Sequence, residues 1–312
     1  NDIKNELDNY TDEKRRADNF IKYTVVTIKS IMENASKDYK YKFHILNTYI
    51  DEKTIEKVLE MKNDIFDIEF VNCSSYIDSI KENLPLRDYY SKTTYFRLFI
   101  AEMFDYDKAI YIDSDIIVLG DISKLYNHEL GNNLVGACNE QAMVQTEVYG
   151  NYVEKCIGLD RNRYFNAGML LINCRLFREE HVLNQFFDKL NIYNFVVTQD
   201  EDYLNLICYN RVLWIDNSWN VEVYGDIKYD DSEINLIHYI MWAKPWHFTN
   251  VRLEKYFWKY AELTFGYNDI KNELDNYTDE KRRADLEAGA NLERLAIYEA
   301  NREDNYLNKI KK

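Results

Sequence analysis

Asp113 and Asp115 stand one residue apart, directly after the apolar run AIYI at 109–112. Such a run reads as a buried strand, and in open α/β sheets ligands collect beyond the carboxyl ends of the strands. Two carboxylates on a strand end that bends can both approach one hard cation. Mg²⁺ and Mn²⁺ favour oxygen ligands and are often shared with a diphosphate. A solvated acidic turn would carry the same letters, so the pair needs company before it means chemistry.

Three further stretches supply candidates. Residues 164–173 read YFNAGMLLIN, and the small Asn166-Ala167-Gly168 stretch is expected as a turn ahead of an apolar strand. Small residues let a ligand approach the backbone, and Asn offers both donor and acceptor. Gln199-Asp200-Glu201-Asp202 introduces an apolar helical stripe at Leu204. Carboxylates suit a helix N-terminus, and the same groups can face a sugar. Residues 238–246 read HYIMWAKPW. His238 can give a nitrogen to a divalent metal, Lys244 can neutralise phosphate charge, and the aromatics can stack on a base or sugar. Taken singly, a core histidine, a solvated lysine and an ordinary tight turn explain these residues as well.

The elements that must position them alternate. Residues 23–31, 55–61 and 93–103 carry apolar residues at helical spacing. Residues 43–46, 66–71, 109–112, 134–138, 169–172 and 212–215 read as short strands. That alternation predicts an α/β fold with a mostly parallel central sheet flanked by helices. From about 255 onward the chain turns charged, with Leu292, Leu295, Ala296, Leu307 and Ile310 at roughly helical spacing, which predicts a C-terminal helical extension.

The formal net charge of -15 argues against a nucleic-acid partner, which needs a basic face. It leaves room for a phosphate ligand held through a metal. Five cysteines, an odd count with no C-x-x-C pair, read as buried thiols in a reducing cytoplasm. No apolar run reaches the length of a membrane span, so the expected location is cytoplasmic. Lys309, Lys311 and Lys312 allow peripheral membrane contact at most.

Residues 1–18 and 268–285 are identical letter for letter, NDIKNELDNYTDEKRRAD. Diverged structural repeats are not identical over 18 residues and absent elsewhere. The N-terminal copy therefore reads as an artefact, a fusion scar or an engineered copy. The organisation expected is a duplicated segment at 1–18, a catalytic domain over 19–255 and a helical extension over 256–312.

In this order, YTVVTIKSI, TTYFRLFIAEMF, AIYIDSDIIVLGDISKLY, YFNAGMLLIN, QDEDYLN and HYIMWAKPWH resemble the family 8 glycosyltransferases, retaining enzymes related to bacterial lipopolysaccharide galactosyltransferases and to glycogenin. The resemblance runs from about Asp18 to Trp246. It implies a GT-A fold, a UDP-sugar donor and Mn²⁺, with Mg²⁺ as an alternative. Carried over by position, Asp113, Asp115 and His238 would be metal ligands and Lys244 would hold the diphosphate. Asn166 and Asp200 would bond the donor sugar near the reacting carbon. Arg97, Ser114, Ala167 and Glu140 would complete the donor site, with Glu140 where the family often has Asp. Glu201 stands where relatives often carry Gln, so attack by a carboxylate stays open beside a sugar-ligand role. Tyr239-Ile240-Met241-Trp242 occupies a loop where a glycine near the phosphate is common. The family's opening strand ends in Asp-Asp-Asn-Tyr, and here only Ala17-Asp18-Asn19-Phe20 preserves that ending. Asp18 and Asn19 would contact the nucleoside.

The function expected is therefore transfer of galactose or glucose from a UDP-hexose to a carbohydrate or glycoprotein acceptor, with a partner glycosyltransferase among the conceivable contacts of the tail. The competing reading is a UDP-sugar or carbohydrate-binding module without catalysis. A nucleotidyltransferase is a third, separable because it would release pyrophosphate rather than UDP.

Overall fold

The computed structural model describes residues 20–78 and 92–311. Asp18, Asn19 and the N-terminal copy of the repeat lie outside the described residues. Nine strands form three sheets among those described. A parallel pair joins β1 (Tyr41–Asn47) to β2 (Phe66–Asn72). A four-stranded sheet runs β3 (Ala109–Ile112), β6 (Phe165–Ile172), β5 (Val135–Asn139), β7 (Val212–Trp214). A three-stranded sheet runs β4 (Ile116–Val118), β9 (Leu236–His238), β8 (Val221–Glu222).

The strand directions correct the expectation of a mostly parallel sheet. β3–β6, β5–β6 and β4–β9 are antiparallel, while β1–β2, β5–β7 and β8–β9 are parallel. An apolar run reports burial and carries no direction. β6 is buried along all eight residues, FNAGMLLI, and runs antiparallel to both neighbours. The Asn166-Ala167-Gly168 stretch is likewise inside β6, not a turn before it. Residues 93–103 are not one α-helix. They fold as the 3₁₀ segment Lys92–Phe99 followed by the short α-helix Ile100–Met103.

The helix over 20–34 shows why burial on several faces suits its composition. Ile21, Val25 and Ile28 face β1 and β2, while Tyr23 and Val26 face the β8–β9 side and Ile31 enters a third cluster. Its polar residues are spent on the sheet edge: Ser30 Oγ accepts from the Val118 amide at 2.9 Å. The five cysteines are all buried, as their isolated thiols suggested.

The tail folds as helices Glu254–Ala261, Tyr267–Asn276, Asp279–Asn301 and Tyr306–Ile310. Thr278 caps the long helix by accepting from the Lys281 amide, and Asp279 and Glu280 complement its dipole. Ala296 is fully buried, Leu292 and Leu295 pack on the main core, and Ile310 stays exposed. The C-terminal copy of the repeat is built into the fold, with Ile270 and Leu274 buried. Among the described residues no helix is long and apolar enough to cross a membrane.

Candidate active site

The acidic pair sits where the chain leaves one sheet for another. Asp113 follows β3, and its amide donates to the Gly168 carbonyl at 2.8 Å. Asp115 precedes β4, and its carbonyl accepts from the Tyr239 amide at 3.0 Å, just beyond His238 on β9. Thr27 fixes the crossing: its hydroxyl reaches the Ser114 carbonyl at 3.0 Å and the Ile116 carbonyl at 2.7 Å. One ligand atom from each of Asp113, Asp115 and His238 then lies within 4.8 Å of the others. Gly168 is what lets them meet. A Cβ there would collide with Cε1 of His238 and sit 3.0 Å from Oδ2 of Asp113.

The imidazole is oriented for a metal. His238 Nδ1 lies 3.1 Å from the Asn220 carboxamide oxygen, an acceptor, which assigns the proton to Nδ1 and leaves a lone pair on Nε2. Nε2 faces Asp115 Oδ1 at 3.3 Å, yet that buried oxygen makes no aligned hydrogen bond. An orphaned carboxylate oxygen opposite an imidazole lone pair, beside a second carboxylate, is a donor set that Mn²⁺ or Mg²⁺ fits. Lys244 Nζ holds the other oxygen of Asp115 at 2.6 Å and also donates to the Tyr239 carbonyl. Burial works to raise the Asp115 pKa, but the Lys244 ammonium holds it well below the usual carboxylate range.

Arg97 ties this centre to the next one. Its buried guanidinium lies 2.9 Å from Asp113 Oδ1 and 3.0 Å from Asp200 Oδ2, donates to the Ala167 carbonyl and covers the Tyr111 ring. The Tyr111 hydroxyl donates to Asp113, and Thr94 donates to Asp200 Oδ1 at 2.8 Å. Asp200 is only 2% exposed. Burial pushes its carboxyl up to about 6, against the pull of Arg97 and Thr94. Gln199 before it adopts φ 58°, ψ -111° with its carboxamide buried and unpartnered, backbone strain of the kind that collects at working sites.

Buried Glu140 and Glu222 and half-buried Glu201 gather around Asn166. Its carboxamide nitrogen donates to Glu140 and its oxygen accepts from Asn220 at 2.9 Å and from the Gly168 amide at 2.9 Å. Glu201 Oε2 accepts from the Ala167 amide at 2.8 Å. Burial, then the charge of Glu140, raises the Glu201 carboxyl well above its ordinary value. Glu140 follows a bulge at Ala137–Asn139 that re-aims the chain. The Ala142 amide is 3.1 Å from both Glu140 Oε1 and Glu222 Oε2, so two carboxyl groups converge on one N–H. Burial and Glu140 push the Glu222 carboxyl well up.

Asp113, Asp115, His238, Lys244, Arg97, Asn166, Ala167, Asp200, Glu201 and Glu140 are thus brought into one connected set, while Ser114 contributes a carbonyl to the Thr27 anchor. Thr27, Thr94, Tyr111, Asn220 and Glu222 escaped sequence reasoning. Thr94 lies in the mixed run SKTTYFR, the other four are single polar residues among apolar ones, and only Glu222, between Val221 and Val223, left any signal. In the loop after His238, Met241 adopts φ 54°, the left-handed region glycine favours.

Comparison with known proteins identifies the class. The galactosyltransferase LgtC in complex with donor and acceptor sugar analogues superposes with a TM-score of 0.66 at 26% identity, over 80% of this chain and 94% of that one, so the fold is GT-A. The profile of glycosyl transferase family 8 matches residues 15–250, and the chain belongs to that family. A putative glycosyltransferase of Haemophilus influenzae is 34% identical over 203 residues, 64% of this chain and 59% of the relative's own length. The lipopolysaccharide 1,3-galactosyltransferase of Salmonella typhimurium is 25% identical over 244 residues, 73% of this chain and 70% of that protein.

Proposed function

We propose that this chain is a retaining hexosyltransferase that moves galactose or glucose from a UDP-sugar to a glycan or glycoprotein acceptor with the help of Mn²⁺. The observation that carries this reading is the convergence of Asp113, Asp115 and His238 within 4.8 Å, joined through Arg97 to Asp200. Family membership and the galactosyltransferases among its relatives support the sugar class. Residues 19–255 form the catalytic part on this reading, and 256–312 the helical extension.

Asp113, Asp115 and His238 would hold the ion, which supplies Lewis-acid stabilisation to the charge growing on the diphosphate. Lys244 adds a cation on the phosphate side. Asn166 and Asp200 bond the donor sugar, and Arg97 keeps Asp200 and Asp113 in register. Burial and the charge of Glu140 raise the Glu201 carboxyl well above its ordinary value, and its Oε2 is engaged by the Ala167 amide at 2.8 Å. An oxygen tied to a backbone N–H is a weaker nucleophile toward carbon, which supports a same-face route. The acceptor oxygen bonds to the anomeric carbon as the bond to the UDP oxygen breaks, the acceptor proton passes to the departing phosphate, and configuration is retained.

The test is UDP release from a panel of UDP-sugars with and without Mn²⁺. Metal-dependent hydrolysis of one donor is the expected result. Full turnover in excess chelator, or pyrophosphate in place of UDP, overturns the reading.

A further inference from the structure

Lys244 lies in the irregular loop 239–248, and this loop is held from outside by the C-terminal helices. Trp242 and His247 flank the lysine, each one backbone hydrogen bond from it: the Lys244 amide donates to the Trp242 carbonyl at 2.7 Å and the His247 amide to the Lys244 carbonyl at 3.0 Å. Both side chains end on residues 267–301. The Trp242 ring lies against Gly289, where a Cβ would come within 2.5 Å of its six-membered ring. Gly289 sits inside the 23-residue helix Asp279–Asn301, where glycine weakens a helix relative to alanine. The notch for Trp242 is a reason for that glycine.

His247 is gripped by the same layer. Its ring stacks on Tyr277 at 3.8 Å and 9°. Nε2 lies 3.2 Å from Glu273 and Nδ1 3.5 Å from Asp285. Arg282 Nε donates to its carbonyl at 2.9 Å. Lys22, on the helix over 20–34, pairs with the same Glu273 at 2.7 Å. Glu273, Tyr277, Arg282 and Asp285 all fall within 268–285, the C-terminal copy of the repeat. The loop itself holds Met241 in the left-handed region, a conformation that a residue without a Cβ would hold more easily and that its surroundings must enforce.

We infer that the helices over 267–301 are a positioning element for donor binding: the Gly289 notch and the His247 cradle hold Trp242 and His247, and through them set where Lys244 meets the diphosphate. This rests on the proposed role of Lys244. Trp242, His247 and Gly289 act through that lysine and touch no reacting atom.

The experiment pairs Gly289→Leu with His247→Ala in the full chain. Hydrogen exchange of the 239–248 amides, in the absence of any ligand, is expected to speed up at least about tenfold in each variant, with core strands β5 and β6 unchanged. Steady-state kinetics with the UDP-sugar that wild type turns over are expected to show KM for the donor raised about tenfold with kcat within about twofold. Wild-type exchange in the loop of a folded His247→Ala overturns the inference even if Gly289→Leu fails to fold. A loosened loop with unchanged KM overturns it as well. Absence of donor turnover in wild type would count against the transferase reading alone, and the exchange measurement would still decide whether these helices hold the loop.

Discussion

Gly168 and His238 lie so close that any Cβ on Gly168 would occupy the space of His238 Cε1. This is a distance requirement rather than a torsional one, since Gly168 is part of strand β6. Gly168→Ala should therefore push the imidazole off its Asn220 hydrogen bond. We expect Mn²⁺ affinity to fall about 10–100-fold, the range seen when the groups orienting a metal ligand are disturbed. The rise in melting temperature on adding Mn²⁺ reports this; a rise equal to that of wild type would refute the role given to the glycine.

Arg97 is buried between Asp113 and Asp200, and removing it leaves two carboxylates without their shared cation. Arg97→Ala should destabilise the fold by about 3–5 kcal/mol, the usual consequence of breaking a buried pair from one side. Chemical denaturation without metal measures it. Asp200→Asn in the Arg97→Ala background should restore part of the loss, because one uncompensated charge is gone; no restoration would mean that the two residues are not coupled.

Glu222 has a carboxyl whose pKa in the fold is raised by burial and by Glu140. Sign follows from proton counting. Above the unfolded value of about 4.3 the native state holds a proton that the unfolded chain has released, so stability is full below that pH and declines as pH rises toward the folded value. Glu222→Gln keeps an acceptor for the Gln141 and Ala142 amides and cannot ionise. Its stability should decline less than wild type between pH 5 and 8, whereas Glu222→Ala should lose stability throughout. Parallel wild-type and Glu222→Gln curves would show that Glu222 does not carry the proton.

Lys244 would compete with a metal for Asp115, since its ammonium holds one oxygen of that carboxylate at 2.6 Å. Lys244→Gln should bind Mn²⁺ alone at least as tightly as wild type and bind UDP with Mn²⁺ about 10–100-fold more weakly, the worth of one charged hydrogen bond. Titration followed by the free Mn²⁺ signal separates the two. Weaker binding of the bare ion would place Lys244 in support of the metal site rather than the phosphate.

His247 is a second group whose pKa the fold raises. Burial works to lower its pKa, but Asp285 and Glu273 prevail and raise it, with Lys22 pairing to Glu273 and Arg282 bonded to the His247 carbonyl. A raised histidine contributes stability that is complete below about pH 6.5 and is lost as pH rises through the folded value. Exchange of the 239–248 amides, corrected for intrinsic rates, should accelerate across that window in wild type and stay flat in His247→Ala.

Much of the site was legible because its residues cluster in short strings. Asp113-x-Asp115 behind AIYI, Asp200-Glu201 at a helix start and His238-x₅-Lys244 each place chemistry at an element's end, and element ends are where periodicity breaks visibly. Glu222, Asn220, Thr27 and Tyr111 stand alone in their segments, and nothing local says which polar side chain will be buried. The Asn166-Ala167-Gly168 stretch reads as a turn in sequence for the same reason, and it is strand. Small residues mark either a bend or a close approach, and here Gly168 sits in an extended strand with His238 against it.

By itself the sequence determined which segments could be buried, which strand ends carry carboxylates and, through the order of six motifs, the family. Strand direction, the meeting of two sheets across Ser114, the Arg97 bridge between Asp113 and Asp200, and the grip of the C-terminal helices on Trp242 and His247 were decided only in three dimensions. The physical reason is that apolar spacing encodes burial along the chain, while direction, register and buried charge pairing depend on partners that lie sixteen to more than a hundred residues away, as Asp113 and Asp200 do from Arg97.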